Sequence, residues 1–532
     1  MSMNIISCKS ILNIEKNKNI ETLINDNLNI DGAASFITKK FNIQITTDPD
    51  LISSYERDYS NMPGHANSVC HPSNEQECAI ILRYCHKSKT PITITAGRTN
   101  LNGSATPNGG MVMAMNKMKT PEPKINLKSK SITTGVGVFL EDMRNAALDQ
   151  SQKKLYFPVD PTSRKDAMIG GTISCNASGF IPGPKGAMRY WVQSLDFLTP
   201  NGYKISCERG EYISKNGFFL LEFPNEKRKW NVPTYPRPKI KNASGPYSDE
   251  SGQIDLVDLL IGSEGIFGVI TKVNFKLKKM PDDFLNLFFT LTSEKKAVNF
   301  HHYIAKHLNN DLSQLNAMEY FGFNCQNYMK HKNKLFKNST QVGLYLQIPI
   351  YNEKIESVAG KWMQIIMESK CGIKEDEIYL LNNENDWQTF FEARHSIPDN
   401  ALRKTHELDT WSILTDTIVP SENFQKLLDE THAILKKTKI EYLLFGHLGD
   451  CHLHFHFIPT KLQQPLALKT YEKIIKICSK LGGVYSAEHG TGKRKRNDFK
   501  ECYGEMAVKQ IIESKSSLDP NFLLNKGNVV IS

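Results

Sequence analysis

The chain alternates short apolar runs with longer stretches in which apolar residues recur every three to four positions. Ile92-Thr-Ile-Thr95, Met111–Met115 and Ile132–Val138 read as strands of a first region, with QECAIILRYCHK (76–87) and Phe139–Leu148 as helices between them. From about residue 281 the rhythm changes. FLNLFFTLT, QLNAMEYFG and QVGLYLQIPI are strand-like, whereas 354–369, 422–436 and 465–481 have helical spacing. In the last of these the apolar positions are Leu468, Tyr471, Ile474, Ile475, Cys478 and Leu481, and Gly482-Gly483 ends the helix. Strands interleaved with amphipathic helices predict an α+β domain with helices laid over an antiparallel sheet.

The same pattern divides the chain. Residues 1–40, rich in Asn, Lys and Ile, read as an extension. Residues 41–280 form one domain and 281–500 a second. Residues 501–532 read as a helix, Asp519-Pro520 and a short apolar end that returns to the first domain. Residues 208–256 are polar and Pro-rich, which predicts a long surface insertion, either a plain loop or a lid. The total of 532 residues suits two to four domains, each with its own core.

Composition narrows the class. A hydrophobic fraction of 40% and a charged fraction of 23% are those of a globular protein and exclude disordered and collagen-like chains. The net charge of +10 is too mild and spread out for a nucleic-acid binder, and it suits anionic substrates or an anionic membrane face. With no long apolar run and no signal-peptide core, the expected location is cytoplasmic, or peripheral on the inner face of a membrane. The 11 Cys include no C-x-x-C pair, so iron–sulfur and zinc-ribbon centres are excluded.

A dinucleotide fingerprint fails, since Gly135-Val-Gly137 is followed by Leu140, and no Walker A sequence occurs. Three other glycine segments remain. They are Thr95-Ala96-Gly97-Arg98-Thr99-Asn100 to Gly103, Ile169-Gly170-Gly171-Thr172-Ile173 to Asn176 and Gly179, and Gly262-Ser263-Glu264-Gly265 to Gly268 and Ile270. Each is either a tight turn or a run of backbone N–H groups presented to an anion. Four of the 15 His fall within ten residues, at 447, 452, 454 and 456, and a Glu488-His489 pair follows. On a strand 452, 454 and 456 share a face. Two imidazoles and a carboxylate suit a divalent metal with open positions, and spacing alone equally allows core or surface histidines without one.

Taken in order over about 60–275, the three segments resemble the FAD-binding domain of the vanillyl-alcohol oxidase / p-cresol methylhydroxylase flavoproteins. That resemblance implies that Ala96, Gly97, Arg98, Thr99, Asn100 and Gly103 wrap the FAD diphosphate. Pro161, Ser163, Gly170, Gly171, Ile173, Asn176 and Gly179 would run along the isoalloxazine and diphosphate, and Glu264, Gly268 and Ile270 would contact the adenine side. The first segment holds no His, so the expected FAD is non-covalent. Arg98 stands where a small residue is usual, which implies either a phosphate partner or a distorted loop.

The later motifs resemble the carboxy-terminal domain of FAD-linked D-2-hydroxyacid dehydrogenases acting on D-lactate, glycolate or D-2-hydroxyglutarate. The resemblance implies His447, His454 and Glu488 as ligands of a divalent metal (Zn, Mn or Fe), and His489 as acid/base. It also implies Arg394 as the anchor of the substrate carboxylate and Asn525 near the flavin. Cys451 and His452 replace the usual Gly and Asn, which makes His452 an additional ligand candidate, and Lys526 replaces the usual Pro. Pro398 and Trp411–Asp416 do not preserve the Thr and Lys contacts of the hydroxyglutarate enzymes, so a distal carboxylate is not expected. The run Lys493–Arg496 reads as a solvated loop rather than a nucleic-acid patch.

The expected architecture is α+β: a two-subdomain FAD-binding domain of the p-cresol methylhydroxylase type plus a cap domain with an antiparallel sheet. The expected activity is oxidation of a small D-2-hydroxyacid with a quinone, cytochrome or electron-transfer flavoprotein as acceptor. A catalytically silent flavin-binding protein and an ether-lipid alkyl transferase are the alternatives.

Overall fold

A computed structural model describes residues 5–531; residues 1–4 and 532, the ends of the expected extension and tail, lie outside the described residues. The first domain holds two main sheets. The smaller has four strands in the order Gln44–Thr46, Ser68–His71, Met111–Ala114, Ile92–Thr95, the last three mutually parallel. The larger has five antiparallel strands in the order Lys204–Glu208, Val192–Leu198, Val269–Lys276, Ser131–Gly135, Lys124–Asn126. Helices Glu75–Ser88, Leu140–Gln150 and Leu256–Leu260 join them to one apolar core. The two sheets are the subdomains expected from the resemblance.

The stretch 1–40 is not a loose extension. Ile5–Ser7 pairs in parallel with Phe218–Phe223, and helices Ile14–Asn25 and Ile30–Phe41 bury Ile20, Leu23 and Ile37 in the first core. Asn13 and Asn29 cap these helices through their side chains, so some of the Asn that gave the stretch its polar look are helix-start signals. The segment 208–256 likewise differs from a surface loop. It contains the hairpin Phe218–Phe223/Glu226–Asn231, and its Pro-rich remainder buries Tyr235, Lys241, Ala243, Ser244 and Ser248.

The second domain is a seven-stranded antiparallel sheet in the order Ile378–Leu380, Asp283–Leu291, Val342–Ile350, Ala317–Phe321, Glu441–His447, His452–Ile458, Ile413–Leu414. Its side chains alternate between two faces. Leu285, Leu287, Phe289, Met318, Leu453, Phe455 and Phe457 pack beneath helices Glu294–His307, Ile355–Glu368, Phe424–Thr438 and Gln464–Lys480. In the last helix Ile474, Ile475, Cys478 and Leu481 are buried as expected, and only Leu468 is exposed, with Ala467 buried beside it. The opposite face carries Phe288, Ala317, Phe321 and Leu443 under Phe390, Ala393, Ile397 and Ala401 of helix Glu384–Glu407. Glu319, His447, His452, His454 and His456 belong to this second face by the same alternation, which turns them toward the first domain.

The helical stretch Arg496–Leu518, kinked at Gly504, leads to a tail that runs along the strand Ile92–Thr95. Ile92 N–H donates to Leu523 O and Asn525 N–H to Ile92 O.

Candidate functional site

The three glycine segments meet. Gly97 packs against the Asp166 carbonyl, and Gly171 leaves room for only a 3.3 Å approach to Ala96 Cβ, so segments one and two lie face to face. Gly262 N–H donates to Ile173 O and Glu264 N–H to Ser174 O, which ties in the third. Asn525 joins the ends: its Oδ1 accepts from Ile94 N–H at 2.7 Å and its Nδ2 donates to Glu264 O at 2.8 Å. Gly103, Gly262, Gly265 and Gly268 all have left-handed φ, which no bulky side chain adopts cheaply. Among the described residues the amides of Gly97, Arg98 and Thr99 donate to no protein acceptor. Neighbouring unpaired N–H groups in a glycine turn fit a diphosphate. A cleft of about 280 Å³ opens beside them, lined by Tyr55, Gly97, Arg98, Asn116, Phe139 and Asp166.

Arg98 takes φ +56°, stacks its guanidinium over Tyr55 at 4.5 Å and donates to Ser54 O. Asn100 organises its own loop, its Oδ1 accepting from the amides of Asn102 and Ser104 at 2.7 and 3.1 Å. Asn176 Oδ1 accepts from Arg189 N–H, and Gly179 packs against Asp160. Glu264 is buried, a condition that raises its pKa, and its carboxylate accepts from Ser104 Oγ and from the amides of Thr491 and Gly492 at 2.7 and 2.8 Å. The third segment therefore grips the loop that follows His489.

The histidine cluster and the Glu-His pair also meet. His447 Nδ1 donates to Glu319 Oε1 at 2.7 Å and His454 Nδ1 to Thr415 O at 2.9 Å. Both rings are thereby fixed with Nε2 free. Those nitrogens lie 3.6 and 3.4 Å from Glu488 Oε2 and Oε1, near enough to pair with the carboxylate or to share a cation with it. One ligand atom each from His447, His452, His454 and Glu488 falls within 4.8 Å of the others. Burial opposes charge on His447, yet the carboxylates of Glu319 and Glu488 outweigh it and raise the group to about 10. Burial also opposes charge on Glu488, and Lys241 and His447 hold it well below the usual carboxylate range. Burial, with His454 beside them, pushes His452 down to about 3 and His456 to about 4.

His489 rests on Asp416. Its amide donates to Asp416 Oδ2 at 3.0 Å, its Nδ1 lies 3.5 Å from the same oxygen, and its Nε2 faces Glu488 at 3.6 Å. Burial lowers His489 below the ordinary histidine range, against the pull of Asp416 and Glu488. Arg394 reaches the same face from its helix. It lies over the Phe180 ring at 4.5 Å and donates to Glu319 Oε2 at 3.2 Å, while Phe180 meets His447 edge-on at 5.7 Å.

Four residues of this site carry no legible signal of their own role. Lys241, from the Pro-rich segment, sits buried at 3.2 Å from Asp450 Oδ2 and 3.3 Å from Glu488 Oε2. Glu319 is a lone carboxylate inside an apolar strand and Asp416 one just beyond the strand Ile413–Leu414, and that oddity is the one cue to them, since buried charge needs a partner. Lys493 belongs to the basic run, in which Lys495 is buried and Arg494 exposed. Lys493 donates to Thr106 O and Asn528 Oδ1, Arg494 to Ser60 O, Arg496 to Gly527 O, and Lys495 reaches Asp416. These partners belong to the first domain, the tail and the cap, and they pin the loop in place.

Fold and site together define a two-domain flavoprotein oxidoreductase, with an FAD-binding half and a cap whose polar face closes over it. Residues 66–208 match the FAD binding domain, and residues 281–529 match the C-terminal domain of FAD linked oxidases. The chain belongs to the vanillyl-alcohol oxidase / p-cresol methylhydroxylase family of flavoproteins. It is 25% identical over 465 residues to a D-lactate dehydrogenase of Archaeoglobus fulgidus, covering 87% of this chain and 91% of the relative. It is 24% identical over 498 residues to a D-2-hydroxyglutarate dehydrogenase of Xanthomonas citri, covering 92% and 94%. Among solved structures, 4-ethylphenol oxidase of Gulosibacter chungangensis shares the fold with a TM-score of 0.64 at 14% identity, over 98% of this chain and 99% of that one. Alkyldihydroxyacetonephosphate synthase does so at 0.62 and 14%, over 98% and 88%. No described helix is long and apolar enough to cross a membrane.

Proposed function

We propose that the protein oxidises a small D-2-hydroxyacid of the D-lactate type to the 2-oxoacid, using non-covalent FAD, and passes the electrons to a quinone, cytochrome or electron-transfer flavoprotein. The observation that carries this reading is the meeting of His447, His454, Glu488, His489 and Arg394 on the cap face that adjoins the FAD segments. FAD would supply the hydride acceptor when bound, and His447, His454 and Glu488 would hold a divalent ion able to polarise the substrate hydroxyl.

The chain's own residues do the rest. Arg394 offers the planar fork that matches a carboxylate, and Glu319 holds that fork by one nitrogen. His489 takes the hydroxyl proton at Nε2. Asp416 keeps the ring oriented and compensates the imidazolium that results. Phe180 lines the approach with an apolar wall beside the fork. The segment Trp411–Asp416 carries no Lys or Arg, which suits an acid without a second carboxylate.

The test is anaerobic mixing with a panel of D- and L-hydroxyacids. D-lactate should bleach the flavin band and L-lactate should not; no response to any hydroxyacid overturns the proposal. His489→Ala should slow flavin reduction by about 100-fold or more, the usual size of an acid/base contribution. Acid precipitation should release the yellow chromophore into the supernatant.

A further inference from the structure

We propose that His452 is a fourth protein ligand, so that the centre is a three-imidazole, one-carboxylate site that selects zinc, iron or cobalt over manganese. This rests on the reading that His447, His454 and Glu488 hold a divalent ion.

His452 is fully buried on the strand His452–Ile458, on the face shared with His454. Its ring centroid lies 4.5 Å from that of His454 and 5.6 Å from that of His447. Its Nε2 lies 3.0 Å from Asp416 Oδ1, whereas its Nδ1 has no partner among the described residues. A buried ring nitrogen left without a partner is a costly arrangement that a folded chain keeps only for a reason. A cation supplies one. Asp416 then takes the proton of one ring nitrogen and leaves the lone pair of the other for the ion, as carboxylates do behind metal-bound histidines. The four candidate ligand atoms already lie within 4.8 Å of one another.

The ligand type sets the metal. Carboxylate and water suit manganese and magnesium, whereas imidazole suits zinc, iron and the later divalent metals. A third imidazole moves the preference in that direction. The substrate still needs a position, so the ion reaches five or six coordination when substrate is bound.

The holoenzyme and its His452→Asn variant, which keeps a polar side chain and removes the imidazole, are titrated with Co²⁺ and Zn²⁺ against a chelator, and metal content is read by mass spectrometry. The wild type should hold one equivalent. The variant should bind it more weakly by about 100-fold or more, at or beyond the 10–100-fold typical of residues behind a ligand. Its Co²⁺ absorption bands should weaken and shift. X-ray absorption on the wild type, which does not depend on the variant's folding, should count three imidazoles. Unchanged affinity and spectrum, or a count of two, overturns the fourth ligand and leaves the three-residue set standing. No metal in either protein at any concentration overturns both.

Discussion

At the scale of single residues, the site is a set of carboxylates, each shared among basic groups. Glu319 serves His447 and Arg394, Glu488 serves the two free Nε2 atoms, and Asp416 serves His489. Asp416 is fully buried, and burial opposes its charge, yet His489 and Lys495 hold it well below the usual carboxylate range. Asp416→Asn keeps the shape and removes the charge. Flavin reduction should fall by about 100-fold with little change in substrate affinity, as stopped-flow titration would show. A fall in affinity with an unchanged limiting rate would argue against the role. The pH dependence follows from the sign of the His489 shift. A base must be unprotonated to act, and burial lowers His489, so the neutral form persists below the ordinary range. The acid limb of flavin reduction by D-lactate should lie below pH about 6.5, and a limb above that value would show that another group limits the step.

At the scale of elements, the Pro-rich strap 232–255 is the part that sequence patterning reads least well. Its Lys241 places a buried ammonium between Asp450 and Glu488. The backbone around it is tied down by Ala243 N–H to Ser486 O and by Gly245 N–H to Thr491 Oγ1. Period-two and period-3.6 signals describe faces of strands and helices, and a strap has neither. What holds it is hydrogen bonding to distant residues, which leaves no local mark. By contrast the strand His452–Ile458 was legible, because alternation alone puts 452, 454 and 456 on one face. The FAD segments were legible because a turn with left-handed φ needs glycine. Glu319 was hidden in a strand whose other residues are apolar, and the opening helices were hidden by Asn that serve as caps. Lys241→Met removes the buried ammonium that Asp450 and Glu488 share. Removing one partner of a buried ion pair costs about 3–5 kcal/mol, so denaturant unfolding should show a loss of that size. Adding Asp450→Asn to the same chain should recover part of it, and an additive pair of losses would show that Lys241 does not couple to Asp450.

At the scale of the whole molecule, the loop 488–496 is one of the links between the two domains, with the Glu488-His489 pair at its start and a basic clasp at its end. Glu264 of the FAD domain accepts from the Thr491 and Gly492 amides, while Lys493 donates to Thr106 O in the first-segment loop and to Asn528 Oδ1 in the tail. Burial brings Lys493 down to about 8, even with Asp58 and Glu264 nearby, so its ammonium is present at neutral pH and is lost above that value. Because the clasp seats the loop next to the glycine segment proposed to wrap the diphosphate, cofactor retention and the geometry of the Glu488-His489 pair are expected to be coupled. Lys493→Met removes the clasp without touching a residue assigned to proton transfer or metal binding. Its FAD dissociation constant should rise by about 10-fold, the equivalent of ~1.4 kcal/mol, read from the recovery of free-flavin fluorescence on dilution. Thermal stability at a fixed low FAD concentration should fall with it and return when FAD is added in large excess, since a ligand that binds only the folded state stabilises by mass action. A variant that melts early at every FAD concentration, with unchanged FAD affinity, would show that the clasp supports the domain interface and not the cofactor.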